Sequence, residues 1–160
     1  MSRRGWRIML FWVFAGLVVL VDQATKAAVR HVSPNTGFMR TLIPGVIDLV
    51  HVENTGAAFN IGEGAGSIFV VVALAFAIAA FMLVLNEDLP VWLTISIACV
   101  VGGGLGNMVD RFMHGSVTDF IATSFIDFPV FNVADIAVTC GVVITFLLYL
   151  IWGRSERQDG

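Results

Sequence analysis

Charged residues are scarce in this chain, and four long stretches have none. Only 13% of the 160 residues are Asp, Glu, Lys or Arg, whereas 58% are hydrophobic and the mean hydropathy is +0.88. The uncharged stretches are 8–21, 68–85, 91–109 and 136–152. This composition excludes a disordered chain, a nucleic-acid-binding protein and an ordinary soluble domain. The sequence therefore predicts an integral membrane protein.

Cysteine and proline are also rare. The two cysteines, Cys99 and Cys140, lie inside uncharged stretches, so a secreted disulfide scaffold is excluded and both are expected to be small, buried, apolar residues. A membrane span must satisfy its own backbone hydrogen bonds, which proline disrupts. All four prolines lie outside the stretches, at Pro34, Pro44, Pro90 and Pro129.

Length predicts four transmembrane helices in a single domain covering residues 1–160. A bilayer core of about 30 Å needs roughly 20 helical residues. The first stretch is shorter and follows three arginines, so it also fits a cleavable signal peptide. Its helical pattern continues without a helix breaker as far as Pro34, and we therefore predict a retained helix. The predicted spans are about 8–29, 68–85, 91–109 and 134–152.

Basic residues predict that both termini are cytoplasmic. Loops on that side of a membrane carry an excess of Lys and Arg. An even number of crossings independently requires the two ends to share a side. The arginines that flank the first and last spans are Arg3, Arg4, Arg7, Arg154 and Arg157. Segments 30–67 and 110–133 are then expected outside, with a short strand at 45–53 forming part of a small sheet.

Unusual polar residues cluster at the outer ends of the first and third helices. Asp22 and Lys26 have the spacing of a helical ion pair worth about 0.2–0.5 kcal/mol, and they form either a simple interfacial pair or part of a site. Asn107 and Arg111 share one helical face. The arginine either reaches lipid phosphate or holds a carboxylate or carbonyl in the site. Glycines 102–104 and 106 favour close helix packing.

Two further acids, Asp119 and Asp135, are predicted to meet at this outer interface. Asp135 is also the third residue of a helix capped by Asn132, so a purely structural capping role is an alternative. Two close carboxylates in a partly dehydrated cleft share one proton, leaving one as acid and one as base. Such a pair suits hydrolysis of a peptide bond by activated water, without a metal or cofactor.

Other functions are less well supported by the sequence. A zinc site would need His31, His51 and His114, which are separated by long loops and lack a metal-binding motif. A serine–lysine mechanism would need Lys26 with Ser67 or Ser116. A small ion or proton transporter could use the same acids, but it predicts polar residues throughout the spans. A non-catalytic assembly factor would leave Asp119 and Asp135 replaceable.

Five motifs together resemble the bacterial lipoprotein signal peptidases, also called signal peptidase II. They are DQATK at 22–26, NTGAAF at 54–59, GGGLGNMVDR at 102–111, VTDF at 117–120 and FPVFNVAD at 128–135. The resemblance implies an all-α membrane fold of four transmembrane helices, with a small extracytoplasmic β-sheet cradle and a short outer helix or loop. It also implies an aspartic endopeptidase of the bacterial cytoplasmic (inner) membrane. The partners implied are diacylglyceryl-prolipoprotein, cut before its lipidated cysteine, membrane lipid and the inhibitor globomycin, but no nucleic acid.

The resemblance also implies roles for individual residues. Asp119 and Asp135 match the catalytic pair, on the extracytoplasmic side. Substrate binding or support of the site would fall to Asn54, Gly56, Asn107, Arg111 and Asn132. The polar residues with a structural role would be Asp22, Lys26 and Asp110. Among the glycines, Gly104 stands where a slightly larger residue would serve equally well. Five apolar residues are candidates for a substrate groove, or they simply rest in the interface: Phe120, Phe125, Ile126, Phe128 and Phe131.

Overall fold

The computed structural model describes residues 2–56 and 66–156, which form four helices and one small sheet. The helices are α1 (Arg3–Val32), α2 (Gly66–Asn86), α3 (Val91–His114) and α4 (Val133–Glu156). The strands are β1 (Gly37–Ile43), β2 (Ile47–Asn54) and β3 (Val117–Thr123). Each helix is long and apolar enough to cross a membrane, which confirms the predicted fold class. Residues 57–59 of the NTGAAF motif and Arg157 lie outside the described residues.

The third helix is the centre of the bundle. In its most apolar window 56% of the residues are buried, whereas the corresponding fractions for the other helices are 11–17%. Two of its glycines allow this packing: a Cβ atom on Gly102 would lie 2.7 Å from the Ala15 carbonyl oxygen, and one on Gly103 would lie 2.5 Å from that of Ala134. The backbones of α1 and α4 therefore approach α3 more closely than any side chain would permit, as the small-residue pattern predicted.

All four helices extend beyond the uncharged stretches from which they were predicted, and local signals mark two of their ends. α1 begins at Arg3, where the Ser2 hydroxyl accepts a hydrogen bond from the Gly5 N–H at 3.1 Å and caps the helix. α3 continues to His114 and ends at Gly115, whose φ of +79° is the left-handed conformation that favours glycine. Asp110 and Arg111, which were expected to begin an outer segment, therefore lie within the last turns of α3.

The sheet is antiparallel with strand order β1-β2-β3, and it lies at the end of the bundle where α1 and α3 finish. The predicted strand at 45–53 corresponds to β2. No strand was predicted in segment 110–133, but VTDFI lies in β3 because its backbone pairs with β2, placing Asp119 opposite Val52. After β3 the chain runs to α4 without a helix, and Phe131 bridges back to Ile121.

One expectation about the cysteines is wrong. Both are free, but Cys99 is only half-buried and Cys140 is exposed. α4 packs against the bundle through one stripe, in which Ala134, Val138 and Gly141 are buried or half-buried. Cys140 lies beside this stripe, so its side chain is left exposed.

Candidate active site

Asp119 and Asp135, the carboxylate pair, line one cavity of about 480 Å³ where β3 and the start of α4 meet the C-terminal end of α3. Asp119 is only 2% exposed on β3, whereas Asp135 is half-buried in the first turn of α4. The cavity is lined by apolar side chains around these acids. The remaining lining residues include Asn54, Asn107, Arg111, Val117, Phe128, Val130, Phe131, Ile136, Val138 and Thr139.

Two asparagine amides donate hydrogen bonds to the Asp119 carboxylate. Asn54 Nδ2 reaches Asp119 Oδ2 at 2.9 Å, and Asn132 Nδ2 reaches Oδ1 at 2.6 Å. Burial removes water from this carboxylate and raises its pKa from 3.8 to about 6, although the two amides oppose the shift and the charge of Asp135 adds to it. Asp119 therefore holds a proton at far higher pH than an exposed aspartate.

Asp135 lies in a capping box at the start of α4. Its backbone N–H donates to Asn132 Oδ1 at 3.0 Å, while its own Oδ2 accepts from the Asn132 N–H at 3.1 Å. Its second oxygen, Oδ1, accepts from Asn107 Nδ2 at 2.8 Å. The structural alternative considered for Asp135 is thus present together with exposure to the cavity. One oxygen caps the helix, and the other faces the amide of α3.

Arg111 contacts the turn that follows β2. Its Nη2 donates to the Gly56 carbonyl oxygen at 2.7 Å, and its guanidinium lies 5.0 Å from the centroid of the Phe69 ring. The Gly56 N–H in turn donates to Asn54 Oδ1 at 2.9 Å. Of the two predicted uses of this arginine, holding a carbonyl is therefore the one observed. Through Gly56, Arg111 also supports the asparagine that contacts Asp119.

Asp22, Lys26 and Asp110, here called the closed cluster, lie beside the carboxylate pair. Lys26 Nζ is 2.9 Å from Asp22 Oδ2 and 3.2 Å from Asp110 Oδ2, and all three side chains are 0% exposed. Asp22 and Lys26 are therefore part of a buried three-residue cluster and do not form an isolated pair, because α3 and the sheet cover the end of α1. The two acids also accept the backbone N–H of the residues before the carboxylate pair, Ala134 at 3.0 Å and Thr118 at 3.1 Å.

Sequence reasoning missed two residues around the closed cluster. Gln23 Nε2 donates to the Gly106 carbonyl oxygen at 3.0 Å and to Asp110 Oδ1 at 3.1 Å. Arg30 donates to Thr118 Oγ1 at 2.8 Å. The spacing of residues 22, 26 and 30 by four places them on one helical face, and this signal could have identified the arginine.

The geometry gives no support to the zinc or serine–lysine alternatives. No group of three His, Cys, Asp or Glu within residues 2–56 and 66–156 is arranged to hold a metal. His51 instead contacts the Ser33 carbonyl oxygen and Glu53. Lys26 is enclosed by its two acids and by Asn107 Oδ1 at 2.8 Å, so its amine is not available as a base.

The predicted apolar groove is only partly correct. Phe128 and Phe131 line the cavity and contact each other edge to face, with ring centroids 5.8 Å apart. Phe120 is instead buried, at 7% exposure. Phe125 and Ile126 are more than half exposed and are not part of the cavity wall.

Comparison with known proteins identifies the family. Residues 14–151 match the family model described as signal peptidase (SPase) II. The chain belongs to the signal peptidase II family. The lipoprotein signal peptidase of Thermosynechococcus vestitus is 40% identical over 164 residues, covering 95% of this chain and 98% of the relative. That of Enterococcus faecalis is 32% identical over 155 residues, covering 96% and 94% respectively.

Solved structures agree with this signal peptidase II assignment. Two bacterial membrane enzymes, determined at 2.3 Å and 1.9 Å resolution, superpose with TM-scores of 0.82 and 0.79 at 29% and 30% identity. The alignments cover 94% and 88% of this chain and 92% of each neighbour. The predicted enzyme class is confirmed: the chain is a peptidase and a multi-pass bacterial membrane protein. The transporter alternative has no support from these comparisons.

Proposed function

We propose that this protein removes the signal peptide from diacylglyceryl-modified prolipoproteins by cutting before the lipidated cysteine. The observation that carries the proposal is the pair of carboxylates on one apolar cavity. Neither Asp119 nor Asp135 forms an ion pair with any cation among the described residues; both are held by amide and backbone donors instead. A pair with no cation in direct contact can keep one proton and remain chemically asymmetric.

Asp119 is the acid in this proposal and Asp135 is the base. Asp119 is the more deeply buried, and its pKa of about 6 lets it hold a proton at a higher pH than an exposed aspartate does. Asp135 takes a proton from water, and the water oxygen attacks the scissile carbonyl carbon. Asp119 gives its proton to the carbonyl oxygen, forming a gem-diol. When the diol collapses, Asp119 takes back the proton of a diol hydroxyl, Asp135 gives its proton to the nitrogen, the C–N bond breaks and the amine of the cysteine leaves. The pair then returns to its starting protonation.

The cavity suits an apolar peptide that carries a lipid. Its wall contributes Val130, Phe131, Ile136 and Val138 close to the two acids. A diacylglyceryl group anchors the cleavage site at the depth of the outer helix ends, so the substrate arrives by lateral diffusion in the membrane. The chain's partners in this proposal are therefore membrane lipid and the lipidated precursor. Globomycin would compete for the same cavity.

Removal of either carboxylic acid tests the assignment. We expect Asp119→Asn and Asp135→Asn each to abolish cleavage of a lipidated precursor while the purified proteins retain their helical circular dichroism. Asp48→Asn is the matched control, because Asp48 is a half-buried acid on β2 that accepts a hydrogen bond from Ser124 and does not line the cavity. Full turnover by both cavity variants would disprove the mechanism, as would inactivation by a chelator that zinc reverses.

The orientation of the protein is proposed from charge. Both termini are cytoplasmic and the cavity faces the extracytoplasmic side, because the arginines in the first turns of α1 and in the last turn of α4 stay with the cytoplasm. A green fluorescent protein fused after residue 160 should fluoresce, since it does not mature after export in an unfolded state. Alkaline phosphatase at the same position should be inactive. The opposite pair of results would reverse the assignment.

A further inference from the structure

The asparagines that hold the carboxylate pair must each be turned so that the NH2 group faces a carboxylate, because the amide oxygen cannot donate. Backbone donors turn two of them. The Gly56 N–H fixes Oδ1 of Asn54, and the Asp135 N–H fixes Oδ1 of Asn132. In both cases Nδ2 is left to donate to Asp119.

The third asparagine, Asn107, is turned by a side chain. Its Oδ1 accepts from Lys26 Nζ at 2.8 Å, and its Nδ2 donates to Asp135 Oδ1 at 2.8 Å. An ammonium group can only donate, so it requires the oxygen of the amide on its own side. Asn132 Nδ2 also reaches Asn107 Oδ1, at 3.1 Å, but its shorter bond of 2.6 Å goes to Asp119.

Lys26 is itself held in one position. It is fully buried, and its ammonium has three partners: Asp22, Asp110 and Asn107. An ammonium has three N–H donors, so each can be directed at one of these acceptors. The two acids therefore fix the cation, and the cation fixes the amide.

We propose that Lys26 is a positioning residue, which acts through Asn107 to keep an N–H donor directed at Asp135 during turnover. The proposal rests on the proposed function of the carboxylate pair. Lys26 contacts neither the substrate nor the cavity. Without it the Asn107 amide can rotate by half a turn and place its oxygen against the Asp135 carboxylate, which disorients the group that activates water.

The test is a variant that removes the ammonium without leaving an extra buried charge. Lys26→Met combined with Asp22→Asn keeps the net charge of the closed cluster unchanged. We expect kcat to fall roughly tenfold to hundredfold, the loss typical of a charged hydrogen bond in a site, with KM and thermal unfolding temperature little changed. Lys26→Met with Asp110→Asn balances the charge on the other acid and replaces the first variant if that does not fold.

Arg30→Met is the matched control. Arg30 is a cation one turn further along α1 that also contacts Asp110, at 3.4 Å, but its bonds go to Asp110 and Thr118 instead of Asn107. It should lower the unfolding temperature while kcat stays within about threefold. A kcat of the Lys26 variant within about threefold of wild type, or parallel losses of kcat and stability in both variants, would overturn the proposal.

A second background separates a positioning role from a structural one. In an Asn107→Ala protein, adding the Lys26 substitutions should reduce kcat no further, because the amide through which Lys26 acts is already gone. An equal loss in both backgrounds contradicts the inference. Asp119→Asn in the same assay distinguishes the two claims: turnover by that variant would overturn the proposed site, whereas its inactivity beside a fully active Lys26 variant would overturn the positioning role alone.

Discussion

Two groups of buried carboxylates, joined through Asn107, have opposite surroundings. In the closed cluster, Asp22 and Asp110 share a lysine, and all three side chains are inaccessible to solvent. In the carboxylate pair, Asp119 and Asp135 receive only amide and backbone N–H donors and face a cavity. Burial alone does not make a carboxylate reactive. A carboxylate that is paired with a buried cation stays ionised and has a structural role. A carboxylate that is held by neutral donors beside an open cavity can still exchange a proton.

The same chemical change in the two groups should have opposite effects. Asp110→Asn removes one charge from a buried ion pair. Its amide NH2 must then face donors on either side, because Oδ2 accepts from Lys26 and the Thr118 N–H and Oδ1 accepts from Gln23 and Arg30. Breaking such a pair costs about 3–5 kcal/mol, so we expect a strong fall in the unfolding temperature. Turnover per folded molecule should stay within about tenfold of wild type. Asp119→Asn should show the reverse pattern: no fall in the unfolding temperature, but loss of turnover.

Thermal unfolding and cleavage measured on the same purified samples check this contrast. A fully stable but inactive Asp110→Asn protein would contradict it, because the closed cluster would then belong to the catalytic machinery. A strongly destabilised Asp119→Asn protein would also contradict it, because Asp119 would then be needed for stability.

The pH dependence of stability should also distinguish the pair from an ordinary surface acid. The pKa of Asp119 is raised from 3.8 to about 6 by burial, so the native state is fully stabilised by its proton below about pH 3.8 and loses that stabilisation as pH rises through 6. The loss amounts to about 3 kcal/mol. Asp119→Asn does not titrate. Its unfolding temperature relative to wild type should therefore rise between pH 4.5 and 7 and then stay level.

Asp48→Asn is the control of opposite sign. Hydrogen bonds from Ser124 and Thr41 lower the pKa of Asp48, so the charged carboxylate stabilises the native state above its unfolded value of 3.8 and not in acid. This variant should be slightly less stable than wild type at neutral pH, and the difference should disappear as pH falls. A pH-independent difference for Asp119→Asn would show that its carboxyl has an ordinary pKa.

The sequence predicted those parts of the site that depend on local spacing. Uncharged stretches located the four spans, and the Asn132 and Asp135 spacing identified the capping box that was found. The pairing of Asp22 with Lys26 followed from the helical repeat. Each of these features involves residues within one or two turns of each other, where the geometry of a helix already fixes the distance.

Contacts between distant segments were not predictable in this way. Asp110 meets Lys26 across 84 positions, and only the packing of α3 on α1 brings them together. Spacing left open whether Lys26 forms a simple pair or belongs to a site, because the sequence does not show that the sheet covers the end of α1. β3 was missed for a similar reason: its backbone bonds depend on β2, a partner more than sixty residues away.

The packing of α3 on α4 positions both groups of carboxylates. Alanine substitutions at two neighbouring glycines of α3 test how much this packing contributes to stability. A Cβ atom at Gly103 would lie 2.5 Å from the Ala134 carbonyl oxygen and 2.8 Å from Val138 Cγ2, so Gly103→Ala must push the helices apart. Overpacking of this kind costs about 1–3 kcal/mol. At Gly104 nothing lies within 4 Å, and Gly104→Ala should be neutral or stabilising by about 0.5–1 kcal/mol.

Thermal unfolding of the two alanine variants gives the comparison directly. Because Ala134 directly precedes Asp135, Gly103→Ala should also lower turnover, whereas Gly104→Ala should not. Equal unfolding temperatures for the two proteins would mean that the close approach of α3 and α4 contributes little to stability.

The smallest effect is expected from an ion pair that is shorter than those of the closed cluster. Arg7 on α1 lies 2.6 Å from Asp88 in the α2–α3 connection, but the Asp88 side chain is 94% exposed. Water competes for an exposed carboxylate and salt screens it, so Asp88→Asn should cost less than about 1 kcal/mol. Glu87→Gln is the matched control, since it removes a neighbouring exposed charge. A loss for Asp88→Asn comparable to that for Asp110→Asn would show that distance, and not burial, sets the strength of ion pairs in this protein.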